Sequence, residues 1–270
     1  MLSIKSLLDF YINSSIHVSL VILAFAAVTL INFQVPVKID LLVFIFLATI
    51  TGYNFVKYSG IAKLHHISLS ANLRLIQIFS LAAFIGLVVC SFFQSLLVLL
   101  IAAVTGALTV LYALPVFSNN RNLRGVPGIK IYVIAIVVAG VTVLMPLVDH
   151  VDLLKRNVIL EFVQRFLLAI VLVLPLEIRD LKFDMAQLQT IPQKLGVSKT
   201  KKIGYFLILI FLLLEFVKIA VEIPEVVSLL LVGLITFIFL KRSKIRQSKY
   251  FTSFWLEALP IFWFLILVAV

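Results

Sequence analysis

Three carboxylates, Glu177, Asp180 and Asp184, stand at i, i+3 and i+7 at the start of the segment that runs from Glu177 to Gly196. At about 100° per residue this spacing places them on one face of a helix, within roughly 60° of each other. The chain has only 12 acidic residues among 270, and this is the one place where they cluster. Three hard oxygen donors on one face, beside Arg179 and Lys182, suit a magnesium ion that carries phosphate groups. An ordinary charged helix end has the same pattern. What separates the two readings is which elements deliver the acids, and into what solvent.

The solvent is lipid. The residue set is 63% hydrophobic and 13% charged, with a mean hydropathy of +1.21, more apolar surface than a soluble domain can hide. Apolar runs cover residues 15–33, 39–55, 73–93, 95–114, 129–148, 158–177, 203–221, 225–240 and 252–270. Most are long enough to cross a bilayer core of about 30 Å as a helix. The expected fold is therefore an all-α integral membrane bundle of about nine transmembrane helices, with residues 1–270 forming one polytopic domain.

Basic residues set the expected orientation. With a cytoplasmic N-terminus, 18 of the 23 Lys and Arg fall in inner segments, while Lys38, Lys155 and Arg156 fall outside and Arg165 and Lys218 within spans. That asymmetry is the positive-inside pattern. The net charge of +11 is thus mainly a topology signal, with anionic lipid headgroups as a secondary partner, and no sign of nucleic-acid binding. The lone Cys90, inside an apolar run, reads as a small buried hydrophobe.

Taken in order, the second span runs into Asn54, Lys57 and Tyr58, which share a helical stripe at the cytoplasmic boundary. The fourth ends in Tyr112-Ala113-Leu114-Pro115, and the inner loop after it carries Arg121, Arg124 and Lys130 with no acid. Such a loop suits an anion, although topology alone also makes inner loops basic. The sixth span is expected to break at Pro175 and then present the acidic face. Glu161 with Arg165, and Lys218 with Glu215 or Glu222, are opposite charges at helical spacing, each pair self-compensating.

With these residues in place the sequence resembles the UbiA family of intramembrane prenyltransferases. That family's second motif, Asp-x-x-Asp-x-x-x-Asp followed by Thr-x-Pro and Leu-Gly, is matched by Glu177, Asp180 and Asp184, then Thr190-Ile191-Pro192 and Leu195-Gly196. Its tyrosine-proline segment is similar to Tyr112–Pro115. Its first motif, Asn-Asp-x-x-Asp-x-x-x-Asp, falls on Asn54, Phe55, Tyr58 and Ala62, where only the asparagine is kept.

The resemblance implies a central chamber and a prenyl transfer from an isoprenoid diphosphate to a lipophilic acceptor at the cytoplasmic face of the inner membrane. It implies metal ligation by Glu177, Asp180 and Asp184, with Asp180 and Asp184 catalytic and Mg2+ as cofactor, one ion where the family holds two. Asn54, Lys57, Tyr112, Arg121, Arg124, Lys130 and Lys182 are the substrate-binding candidates. Two other readings stay open: a homologue that binds isoprenoid diphosphates or lipids without turnover, and a small transporter using the charges within the spans.

Overall fold

The computed structural model describes residues 4–58, 71–114, 126, 128–182, 189–248 and 250–269. Among these, every regular element is helical. A short helix α1 (Ile4–Asn13) meets α2 (Ile16–Asn32) at 59°. Then come α3 (Ile39–Tyr58), α4 (Ala71–Ser91) and α5 (Leu96–Ala113). Helix α6 (Lys130–Ala139) passes through a π turn (Gly140–Leu144) into α7 (Met145–Leu147). The long α8 (Arg156–Asp180) is followed by α9 (Ile191–Leu213), α10 (Ile223–Arg242), and a π turn (Phe251–Leu256) that leads into α11 (Leu259–Ala269).

Seven of these helical segments are long and apolar enough to cross a membrane, and eight if the bent α1–α2 pair is one span. The expected ninth, over 203–221, differs for a chemical reason. Its helix α9 starts much earlier, carries Lys194, Lys199, Lys201 and Lys202, and gives way to a 3-10 turn (Leu214–Val217). That lysine-rich first part keeps α9 out of the count by composition, yet the helix runs back along α8: Gly204 packs against Leu174, and Ile219 bonds Asn157 at the start of α8.

Lipid explains which faces are bare. Leu75, Ile78, Ile85 and Val89 on α4 and Leu97, Leu100 and Val104 on α5 are exposed, arrangements that water would not tolerate in such number. Helix α8 is the opposite: 61% of its apolar window is buried, against 11% for α4. It is the central post. Leu168, Phe211, Leu229, Trp263 and Phe25 close a core around its first half, and Ile170, Leu174, Ile178, Ile131 and Leu240 around its second. Gly204 on α9 lets α8 and α10 come close, since a Cβ there would sit 2.3 Å from the Leu240 side chain.

One local expectation is corrected. The sixth span does not break at Pro175: α8 continues through it to Asp180. A proline removes one backbone donor, and the buried packing around Pro175 and Leu174 is enough to keep the helix going. Helix α8 then ends at Asp180 and Leu181–Lys182 form a turn; Asp184, the third acid of the expected face, lies outside the described residues. After the undescribed residues 183–188, the Gln193 side chain accepts a hydrogen bond from the Thr190 N–H at 3.0 Å, with Pro192 in the first turn of α9. Gly196 then takes φ +76° inside α9, a conformation that favours glycine. The Thr-x-Pro and Leu-Gly signature is therefore a helix start followed by a kink.

At the end of the bundle where α8 begins, the intramembrane charges close on each other. Arg165 and Lys218 both reach Glu161 at 2.7 Å, and Lys218 also reaches Glu215 at 2.8 Å. Arg165 donates to the Phe25 carbonyl and to Thr29 Oγ1, and its guanidinium lies 4.3 Å from the centre of the Phe25 ring. Gln164 donates to Glu215 at 2.9 Å. The network joins α2, α8 and the 3-10 turn after α9.

Candidate functional site

A cavity of about 1640 Å³ opens between α1–α6, α8 and the start of the last helix. Along α3 its lining extends from Phe44 to Tyr58, about 21 Å at 1.5 Å per residue. Its two ends differ. Phe25, Phe44, Leu87, Leu99 and Met145 line one part, whereas the opposite part gathers the polar tips of the same helices. Because neighbouring helices reverse direction, α3, α5 and α8 finish where α4, α6 and the last helix begin. Lys57, Tyr112 and Asp180 thus meet Gln77, Lys130 and Glu257 at one level. The sequence places an apolar stretch and a polar tip on each helix, and alternating the helices turns those tips into one polar head on a hydrocarbon shaft.

The polar head is tied together by Arg179. Its Nε lies 2.7 Å from Asp180 Oδ1, and its Nη1 donates to Thr252 Oγ1 at 2.7 Å and Ser253 Oγ at 2.9 Å. Helix α8 is thereby fastened to the π turn that precedes Glu257. The charges of Arg179 and Lys57 both act on the Glu257 carboxylate. Tyr53, on α3, lies within electrostatic reach of Glu257, Arg179 and Asp180.

Asn54 is the knot on the other side. Its Nδ2 donates to the Ser14 carbonyl at 3.0 Å and to Ser80 Oγ at 2.8 Å, and its Oδ1 accepts from Ser15. The α1–α2 bend, α3 and α4 are held by this one amide, and Ser15 itself sits at φ 66°. One turn on, Lys57 Nζ and Tyr58 Oη donate to the Asn13 carbonyl at 3.2 and 2.8 Å. Tyr250 Oη donates to Asp9 at 2.8 Å.

The residues singled out from the sequence separate into three groups. Asp180, Asn54, Lys57, Tyr112 and Lys130 line the cavity. Glu177 is buried in α8 but is not in the lining, and Lys182 is exposed beyond the helix end and likewise outside it. Arg121, Arg124 and Asp184 lie outside the described residues. The separation of Glu177 from Asp180 has a simple cause: three residues on a helix leave a 60° offset, enough to turn one side chain into the protein while the other meets the cavity.

Among the described residues no three His, Cys, Asp or Glu side chains form a group that could hold a metal ion. Asp180 is held by a guanidinium, and Glu177 does not share the cavity with it. The described donor set on its own does not fit a magnesium cage. Arg179, Tyr53 and Glu257 are cavity residues that the motif spacing passes over. Glu257 does carry a signal of its own, as an acid inside an apolar run of the last span.

No family model and no curated protein sequence matches the chain. A solved structure, presented as giving structural and mechanistic insights into the biosynthesis of digeranylgeranylglyceryl phosphate synthase in membranes, is similar to it over 98% of each chain. Sequence identity is 16% and the TM-score is 0.62. The likeness is one of fold, a multi-pass helical membrane protein, and it extends over the whole length.

Proposed function

We propose that this chain is a UbiA-like intramembrane prenyltransferase that moves a prenyl group from a polyprenyl diphosphate to a lipophilic acceptor. One observation carries the reading: a long hydrocarbon shaft capped at a single end by Lys57, Lys130, Arg179 and Asp180. Its volume of about 1640 Å³ exceeds the roughly 300–1,000 Å³ that hold one drug-sized ligand, so donor and acceptor fit together. The fold shared with the digeranylgeranylglyceryl phosphate synthase structure supports the same reading.

The donor's tail lies in the apolar shaft, among Phe44, Leu87 and Met145, and its diphosphate lies at the polar head. Transfer requires the bond between the allylic carbon and the diphosphate oxygen to break, with the electron pair leaving on the diphosphate. Lys57, Lys130 and Arg179 stand where that negative charge grows. Fixed cations in a water-poor site stabilise such a transition state without reorganising. The hydrocarbon walls keep water from the electron-poor carbon. Asp180 orients Arg179 through the 2.7 Å pair.

Magnesium ligation by Glu177, Asp180 and Asp184, which the resemblance implies, is no part of this proposal: Glu177 does not share the cavity with Asp180, and no step is routed through the ion. The active end faces the cytoplasm in this reading, as the basic inner loops argue, and the protein resides in the inner membrane as one domain.

The test is product formation by purified protein given labelled geranylgeranyl diphosphate and a panel of lipophilic acceptors. Wild type yields prenylated product and free diphosphate in equal amounts, and Asp180→Ala loses about a hundredfold or more in rate. Equal rates for the two would remove the proposed role of Asp180. A second reading, binding without turnover, is favoured by the absence of acids at Phe55 and Tyr58. It predicts donor binding with no diphosphate release.

A further inference from the structure

Among the described residues three carboxylates line the polar head, and two of them are taken up by neighbours. Asp180 is held by Arg179 at 2.7 Å, and Asp9 accepts from Tyr250 at 2.8 Å. Glu257 is different. It follows the π turn whose Thr252 and Ser253 anchor Arg179, and it lines the cavity. Among the described residues its carboxylate makes no hydrogen bond and no ion pair; Arg179 and Lys57 act on it only through space. An ionisable group at membrane depth is costly and marks a functional site, and burying a charge without a close partner is costlier still. Mere charge balance would be served better by a direct pair, as at the opposite end of α8.

The inference rests on the proposed prenyl transfer and concerns its other half. When diphosphate departs with the bonding electron pair, the allylic carbon is left electron-poor. A hydroxyl acceptor attacks with an oxygen lone pair, a carbon–oxygen bond forms, and that oxygen must then give up its proton. Lys57, Lys130 and Arg179 cannot accept it. Asp180 spends its charge on Arg179, and the Tyr53 and Tyr112 phenols are weak bases as phenols. We propose that Glu257 is the general base of the cavity and takes the proton of a hydroxyl-bearing lipophilic acceptor as its oxygen bonds to the prenyl carbon. The products are the prenyl ether, free diphosphate and protonated Glu257, which returns its proton to water at the polar end. The acceptor class is thus an alcohol or phenol whose hydroxyl reaches the last helix while its apolar body shares the shaft.

The experiment uses full-length protein in lipid nanodiscs with labelled geranylgeranyl diphosphate and long-chain alcohols, phenols and glycerol ethers as acceptors. Wild type, Glu257→Gln and Glu257→Asp are compared. The transfer rate of Glu257→Gln falls about 10²–10⁴-fold, while donor affinity changes by less than about twofold and the unfolding temperature stays put. Wild type shows a rate that falls as pH drops and the base is protonated; the Gln variant lacks that limb, and the Asp variant restores part of both rate and limb. The other titratable and charged groups that line the polar head with Glu257 (Arg179 and Asp180 of α8, Lys57 and Tyr53 of α3, Tyr250 with Asp9, Tyr112 and Lys130) are unchanged in all three, so the limb's disappearance reports Glu257 itself. Wild-type rates and an unaltered pH profile in Glu257→Gln would overturn the inference and leave prenyl transfer standing. A rate loss matched by lost donor binding would overturn it too, assigning Glu257 to charge balance. No diphosphate release from wild type with any acceptor would overturn the proposed function, and this inference with it.

Discussion

Helix α8 has a set of charges at each end, and the two sets are built on opposite lines. At its start, Glu161, Arg165, Lys218 and Glu215 are bonded to one another at 2.7–2.8 Å, with Arg165 and Glu161 essentially removed from solvent. At its finish, Arg179 and Asp180 pair while 20% and 24% exposed, and Lys57 and Glu257 line the same cavity without closing on each other. A closed network has no capacity left for a ligand. An open one, facing a space large enough for a lipid, does. The contrast argues against a charge-lined transport path: the intramembrane charges that suggest one are used up in joining helices, and none of them lines the cavity.

The largest expected effect comes from opening the closed end. Glu161→Ala leaves Arg165 buried with no carboxylate, and removing one partner of a buried pair costs about 3–5 kcal/mol. Chemical unfolding in detergent micelles measures it. The double variant Glu161→Ala/Arg165→Met is expected to recover part of the loss, since neither charge is then stranded. Donor affinity at the far end of α8 is expected to hold in whatever fraction stays folded. A fall in affinity without a fall in stability would erase the distinction between the two ends.

Next in size is Asn54→Ala. It removes an amide bonded to Ser14, Ser15 and Ser80, leaving buried groups unsatisfied at about 1–3 kcal/mol. Stability falls, and hydrogen exchange at the α1–α2 bend rises with it. This asparagine positions the cavity wall; a loss of turnover with no loss of stability would instead make it a ligand to the substrate.

Much of this arrangement can be read from the chain, and what cannot be has physical causes. The apolar runs give the helices because lipid leaves little else for them to form. The pairing of Glu161 with Arg165 is legible at i, i+4. Their link to Lys218 is not, because it spans 57 residues of chain and depends on how α8 packs against α9. Asp180, reached through its motif, lines the cavity, whereas Glu177 on the same periodicity is buried outside the lining, a 60° rotation deciding between core and cavity. Glu257 is missed because no motif holds it: its role arises from the last helix returning beside α8, a tertiary fact. Pro175 reads as a helix break only if packing is ignored.

Asp180→Asn separates the two ends on a second axis. A partly exposed pair contributes about 0–1 kcal/mol, so unfolding barely moves. Under the proposed prenyl transfer turnover falls by about 10²–10³-fold, because Arg179 would lose the carboxylate that aims it at the departing diphosphate. Glu161→Ala is expected to show the reverse ratio of effects. Measuring both variants by unfolding and by initial rate places them at opposite corners of one plot.

The smallest effect on stability is expected from Lys57→Gln. Its side chain is exposed and its ammonium donates to the Asn13 carbonyl and side chain, at 3.2 and 3.3 Å, contacts that glutamine's amide can partly replace. Unfolding should shift by less than about 0.5 kcal/mol. Donor binding should weaken severalfold, since one fixed charge at the polar head is gone, and it should also become less sensitive to salt. Exposed charges are screened over about 10 Å at 0.1 M ionic strength, so the difference between wild type and variant narrows as salt rises. A donor affinity that ignores both the substitution and the salt would mean that the diphosphate sits away from Lys57, nearer Arg179 and Lys130. The open end would then have a working side and an idle one.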